Sequence, residues 1–221
     1  MDQPVPPPAE VASPPRGLSP RAMKTRAAIL EAAEGLFAER GFAVTRLEDV
    51  AEAVGIRRAS IVYYYRDKTE LYDAVLGDVF GALLDRIEPI LRSDSPLAER
   101  TESAVSEWIS FLVARPTTAR LLLREVADAQ PEKSLRLGPH TAPFFETVRD
   151  VLQAVSPGDA RAVGERIDPV HVASTLAGAT IFYVAAMPVL VPGFLPHEPR
   201  ALAAHRHEMT LVTRRLLGLP D

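Results

Sequence analysis

The sequence predicts an all-α fold. Three observations carry that prediction. Apolar residues recur at i, i+3, i+4 and i+7 along most of the chain, and glycine and proline punctuate the ends of those stretches. No segment alternates apolar and polar residues as a half-buried strand would, and no internal repeat is present. With 221 residues, 47% of them hydrophobic, the chain has material for one or two compact helical units.

Residues 1–20 hold seven prolines (VPPPAE, SPPRGLSP) and no apolar run, which predicts a disordered, Pro-rich arm rather than a signal peptide. The first helix is expected over about Met23–Arg40, with Ile29, Ala33, Leu36 and Phe37 on one stripe. Gly41 is its left-handed stop and Phe42 a core anchor. Thr45 and Glu48 read as a capping box at the start of the second helix, whose buried face is Leu47, Val50, Ala51 and Val54 and whose stop is Gly55. A third helix follows over about Arg58–Tyr65. Ile61, Val62 and Tyr65 are expected to face inward, and Arg57, Arg58, Ser60, Tyr63 and Tyr64 outward. Asp67 with Glu70 opens a fourth helix, whose series Leu71, Val75, Val79, Leu83 and Ile87 reaches about Pro89.

The rest also reads as helical. Ser95 is expected to cap a helix with Pro96 at its first position, running to about Ala114. Further helices are expected over Thr117–Asp128 behind Pro116, over Pro143–Ser156, from Asp168-Pro169 onward, and over Pro199–Leu217. Val172 to Val191 (VASTLAGATIFYVAAMPVLV) is a charge-free stretch of a length that can span a bilayer. Its Ser174, Thr175 and Thr180, the breaker Pro188 and the lack of a flanking Lys/Arg cluster favour a helix buried on most sides instead. No membrane association is expected.

The net charge of −4 hides an asymmetry. Residues 20–68 carry nine basic and seven acidic residues, while 69–221 carry fifteen basic and twenty acidic ones. Within 55–68, Arg57, Arg58, Arg66 and Lys68 face only Asp67. A small basic tip on an acidic body points to a local polyanion contact. Two short helices joined by a tight glycine turn, the second one polar and basic outside, form a helix-turn-helix pattern. Its second helix is narrow enough to enter the major groove, where arginine donates two hydrogen bonds to guanine and hydroxyls or backbone N–H groups hold phosphates.

The run from Thr25 to Leu76 also resembles the tetracycline-repressor (TetR/AcrR) family. The marks are Ala32-Ala33, Leu36-Phe37, Gly41-Phe42, Thr45, Val50-Ala51, Gly55-Ile56, Ser60, Tyr64, Lys68 and Leu71. The sequence departs from the family pattern at Val62, where a tyrosine is common, at Arg57, where a small polar residue is common, and at Ala59, where glycine is frequent. The resemblance implies a DNA-binding domain over 21–67, with Thr45, Ser60, Tyr64 and Lys68 on the DNA backbone, Arg57, Arg58 and Tyr63 on base edges, and Ala59 on the same surface. It implies a helical effector-binding and dimerisation domain over 68–221, paired with its twin through helices 169–187 and 199–217. The implied activity is a cytoplasmic, ligand-responsive regulator, a repressor released from a pseudo-palindromic operator by a small apolar or amphipathic effector.

For the effector, Trp108, Phe111, Leu112, Arg124, Phe144, Phe145, Val148, Ser174 and Phe182 are the pocket residues expected, with ordinary core packing the competing reading for the aromatics. No metal or cofactor is expected: cysteine is absent, and the five histidines (His140, His171, His197, His205, His207) are scattered. No nucleophile elbow, Gly-rich phosphate loop or HExxH pair is present. The rival reading, a helical ligand carrier or enzyme on an incidental helix-turn-helix, therefore lacks a catalytic constellation.

Overall fold

The computed structural model describes residues 19–128, 137–153 and 169–219. Among them it contains helices and no strand. In chain order these are α1 (Pro20–Arg40), α2 (Leu47–Val54), α3 (Arg58–Tyr64), α4 (Lys68–Leu91), α5 (Leu97–Ala114), α6 (Pro116–Asp128), α7 (Leu137–Gln153), α8 (Pro169–Ala185), the single turn α9 (Met187–Leu190) and α10 (Pro199–Leu216). The expected arm lies outside the described residues, apart from Ser19 and Pro20. They start α1: the Ser19 hydroxyl caps it, accepting from the Ala22 N–H at 3.3 Å, and Pro20 takes its first position, so the helix starts about a turn earlier than expected.

The chain divides into two compact units, one reaching to Phe80 and including α7 up to Thr141, the other formed by Gly81–Asp128 and the residues from Ala142 onward. The division falls inside α4, beyond the 67/68 boundary expected from the sequence. Early α4 belongs with α1: Leu71, Tyr72, Val75 and Leu76 are buried, and the Tyr72 ring stands edge-on to Phe37 at 4.8 Å and to Phe42 at 5.0 Å. Ile29, Ala33 and Phe37 of α1, Val50 and Ala51 of α2 and Ile61 of α3 complete the core of this unit. Truncating a fully buried phenylalanine such as Phe37 costs roughly 3–5 kcal/mol.

In the second unit α8 packs on α5 and α6, and α10 packs on α5 and α8. Ile109, Phe111 and Leu112 of α5, Ala119 and Leu121 of α6, and Thr180 and Val184 of α8 are buried. Two proline readings are corrected. Pro96, not Ser95, is the N-cap of α5. Pro143 lies inside α7, which begins at Leu137; the residue favoured at a first turn is tolerated further in, at the loss of one backbone bond. The expected end of that helix at Ser156, and the Asp168 start signal, lie outside the described residues. The apolar stretch divides between α8 and α9 ahead of Pro188, and no described helix is long and apolar enough to cross a membrane.

His205 of α10 stacks on the Tyr183 ring at 3.9 Å, and its Nε2 lies 3.3 Å from the Thr180 hydroxyl. Burial pushes its imidazole below the ordinary 6.5. The folded chain therefore resists the proton that the unfolded chain accepts. Stability should be complete above about pH 6.5 and fall as pH drops through that value toward the folded one. Thermal melts from pH 8 to 5 should show His205→Gln with a shallower acid decline than the parent; identical slopes would contradict the assignment.

Candidate nucleic-acid interface

The surface is built from the end of α1 upward. Gly41 closes α1 at φ 84°, a conformation that suits glycine, and its N–H bonds to Phe37 O at 2.9 Å. The chain then turns through Phe42 and Ala43, and side chains take up the carbonyls around this turn. Thr45, fully buried, donates its hydroxyl to Gly41 O at 2.8 Å and to Leu36 O at 3.3 Å. Lys68, at the start of α4, donates to Phe42 O at 2.7 Å and Ala43 O at 3.1 Å, with its ammonium 4.5 Å from the centre of the Phe42 ring. Two bonds and a ring face offset the unfavourable placement of a cation at a helix N-terminus.

This arrangement corrects two expectations. Thr45 and Glu48 form no capping box: α2 begins one residue later, with the Asp49 carboxylate accepting from the Arg46 N–H at 2.8 Å. A hydroxyl turned into the core cannot meet a phosphate, so Thr45 supports the surface from beneath. Glu48 instead pairs with Arg58 across the turn, Nε to Oε1 at 2.6 Å.

The turn between α2 and α3 follows from Gly55 at φ 73°. Its N–H reaches Glu52 O at 3.0 Å, and the Ile56 N–H reaches back to Ala51 O at 2.9 Å, the double closure that ends many helices. Arg57 is extended, and its carbonyl accepts from the Ser60 N–H at 2.8 Å to start α3. Ile61 is the inward anchor of α3 and is fully buried. Arg57, Arg58, Ala59 and Tyr63 are exposed, with Tyr63 at 76%; Ser60, Tyr64 and Lys68 are half-buried. The Tyr63 and Tyr64 rings meet edge to face at 5.1 Å. Tyr65 lies in the core, where burial pushes its phenol up to about 12. Val62, expected inside, is exposed, because a seven-residue helix with Ile61 at its centre turns the next position outward.

At the start of α4, Asp67 accepts from the Glu70 N–H at 2.9 Å, which holds its carboxyl below the usual range, and Glu70 accepts from the Arg66 N–H at 2.8 Å. The expected Asp67/Glu70 signal is thus a working cap. The Arg58–Glu48 pair has side chains 58% and 60% exposed, so it contributes at most about 1 kcal/mol and yields easily to a competing anion.

The residues expected for the effector pocket do not converge as a set. Phe111 and Leu112 are core, with the Arg86 and Arg115 guanidinium groups 5.4 and 5.3 Å from the Phe111 ring. Trp108, Arg124 and Val148 are half-buried, as are Phe144 and Phe145, whose rings meet at 5.9 Å. Ser174 and Phe182 lie on the exposed side of α8, since the inward side is taken by Val172, Thr180 and Val184. Among the described residues, no group of three or more His, Asp or Glu side chains could hold a metal ion.

The Lys68 contacts generate a measurable expectation. Lys68→Met keeps the aliphatic stem and removes the charged donors to the Phe42 and Ala43 carbonyls. Urea unfolding should show a loss of about 1–3 kcal/mol; an unchanged midpoint would contradict the clamp.

Comparison with known proteins agrees with this geometry. The sequence model described as "Bacterial regulatory proteins, tetR family" matches residues 29–75. The HTH-type transcriptional regulator RutR of Escherichia coli is 34% identical over 108 residues, 47% of this chain and 49% of RutR, so the chain spans about half the length of that relative. The HTH-type transcriptional regulator TtgR of Pseudomonas putida is 44% identical over 200 residues, 90% of this chain and 83% of TtgR. In fold, the chain is similar to FadR from Bacillus subtilis, a transcriptional regulator solved with stearoyl-CoA, with a TM-score of 0.68 at 16% identity over 88% of this chain and 99% of FadR. The chain belongs to the TetR family of bacterial transcriptional regulators.

Proposed function

We propose that this chain is a homodimeric, ligand-responsive repressor, cytoplasmic in location, that reads a pseudo-palindromic operator with the outer face of α3. The observation that carries the reading is that face itself: Arg57, Arg58 and Tyr63 stand exposed beside Ala59, on a helix anchored from behind by Ile61. In this reading Arg57, Arg58 and Tyr63 meet base edges, Ser60 and Tyr64 meet the DNA backbone, and Ala59 lets the helix approach closely. Lys68 spends two of its three donors on carbonyls and keeps one for a phosphate. The weak Glu48 pair parks Arg58 in the free protein and releases it on DNA.

The dimer is assigned to α8 and α10, within the expected segments 169–187 and 199–217. α8 is apolar around most of its circumference, and Val170, Ser174, Gly178 and Phe182 form an exposed stripe at helical spacing. A second copy on that stripe would gain roughly 25 cal/mol per Å² of apolar surface covered. A four-helix contact with the twin places two α3 helices on one particle, and an operator requires them about 34–36 Å apart. An effector bound in the second unit that prefers a different spacing weakens DNA binding by the factor with which DNA weakens effector binding. α4 contributes residues to both units and is the lever in this reading. An amphipathic effector is favoured because FadR, of similar fold, is described with stearoyl-CoA.

Two outcomes follow. In gel shifts with the DNA flanking its own coding region, Arg58→Ala should weaken binding at least about fivefold, the cost of one base contact. The parent should lose affinity with salt by about 0.9 units of logarithmic slope per phosphate contacted. Arg58→Ala binding within twofold of the parent would contradict the base-reading role. Separately, Gly178→Trp places a bulky ring where an added Cβ meets nothing within 4 Å in the single chain. It should sediment as a 24.1 kDa monomer with unchanged helicity. A variant that remains dimeric would contradict the α8 interface.

A further inference from the structure

α2 is an acidic helix beside the face of α3 assigned to DNA. It carries Glu48, Asp49 and Glu52 and no lysine or arginine, whereas affinity for phosphates alone would select cations there. Asp49 has a structural task, since its carboxylate closes the start of α2 on the Arg46 N–H. Among the described residues the Glu48 carboxylate makes no hydrogen bond within its own helix. It lies instead against Arg58 at the start of α3, Oε1 to Nε at 2.6 Å, and both side chains stay more than half exposed. A pair so open to water adds little to stability, so holding the fold does not account for an acid at this position.

The contact determines what a groove would have to supply. When Arg58 exchanges Glu48 for guanine, the carboxylate it leaves is within reach of the same base edge, because the two side chains touch in the free protein. Phosphates repel that carboxylate. In the major groove guanine presents N7 and O6 as acceptors and thymine presents O4, while the amino groups of cytosine, N4, and adenine, N6, are the donors. In a G·C pair the cytosine amino group stands beside guanine O6. A cation and a carboxylate standing side by side therefore meet an acceptor edge and a donor edge side by side. An A·T pair in the same orientation sets the adenine amino group against the arginine and thymine O4 against the acid.

We propose that Glu48 is a specificity-determining residue, whose carboxylate accepts from the N4 amino group of the cytosine paired with the guanine that Arg58 reads. This rests on the assignment of the outer face of α3 to the operator and adds a contact from α2. Because the same acid repels phosphates, Glu48 lowers affinity for DNA at large while raising the preference for one base pair in each half-site.

The test is base selection by the full chain. A duplex library randomised across both half-sites is bound by the parent, by Arg58→Ala and by Glu48→Ala, and the bound duplexes are sequenced. The position at which Arg58→Ala loses its guanine marks the base pair. There Glu48→Ala should lower the preference for G·C over A·T by at least about fivefold. Glu48→Gln, neutral and of the same shape, should lose part of that preference and serves if the alanine variant does not fold. The affinity of Glu48→Ala for a duplex without the operator should rise. The selected operator is then made with 2-pyrimidinone in place of that cytosine, which removes the amino group, and the parent should lose at least about fivefold more affinity than Glu48→Ala does. Glu48→Ala with the parent's preference at that position, equal losses on the pyrimidinone operator, or a fall in affinity for the non-operator duplex would overturn the role of Glu48 and leave the α3 reading intact. A parent that enriches no sequence, or an Arg58→Ala variant that enriches the same sequences as the parent, contradicts the α3 reading itself and the Glu48 contact with it.

Discussion

The carbonyl groups of the turn that follows α1, on Gly41, Phe42 and Ala43, are the constraint on which the first unit depends. A helix that stops at a glycine of positive φ hands the chain to a tight turn whose carbonyls point toward its neighbours, and those withdrawn from water must find donors. Here one donor comes from just ahead of α2, the Thr45 hydroxyl, and another from the start of α4, the Lys68 ammonium. Satisfying one short turn therefore fixes three helices relative to one another. The orientation of α3 follows, since it hangs from α2 by the Gly55 closure and from the core by Ile61.

On that base the division of α3 into two faces has direct consequences. Its inward side offers little more than Ile61, so a helix of seven residues is held by position and not by its own helical stability. Its outward side is left to residues whose contacts are weak. The Glu48–Arg58 pair is exposed and the Tyr63–Tyr64 contact is an edge-to-face touch, so neither opposes a stronger ligand. Such a surface is preorganised in its backbone and uncommitted in its side chains, which suits recognition of a charged, hydrogen-bonding groove.

Much of this is legible in the sequence, where a local rule and the global fold agree. Of the stripe Ile29, Ala33, Leu36 and Phe37 all but the half-buried Leu36 are in the core, and the glycine stops at Gly41 and Gly55 and the Asp67/Glu70 cap, which also follow from short-range spacing, stand where expected. Readings that turn on a partner outside the residue's own helix are not legible. Thr45 satisfies every local requirement of an N-cap, yet a carbonyl four residues earlier in the preceding turn claims its hydroxyl. Lys68 reads in the sequence only as a cation for the DNA backbone, because Phe42 and Ala43, whose carbonyls it holds, lie far away along the chain. Ser174 and Phe182 fit a pocket as well as a surface, because α8 is apolar on so many sides that periodicity cannot tell inward from outward. The Glu48–Arg58 pair escapes a reading of the sequence for the same reason as the Lys68 clamp: its members stand on different helices, and Glu48 fits a capping box by spacing alone.

In the proposed function the outer face of α3 is presented twice on one particle, at the pitch of duplex DNA. Because the native chain has no cysteine, one cysteine introduced at exposed Val62 carries a single spin label per chain. Double electron–electron resonance on the operator complex should give one narrow distance distribution near the major-groove repeat of roughly 34–36 Å, allowing for the label's reach. No dipolar signal between chains, or a distribution that the operator leaves broad and far from that repeat, would contradict the account.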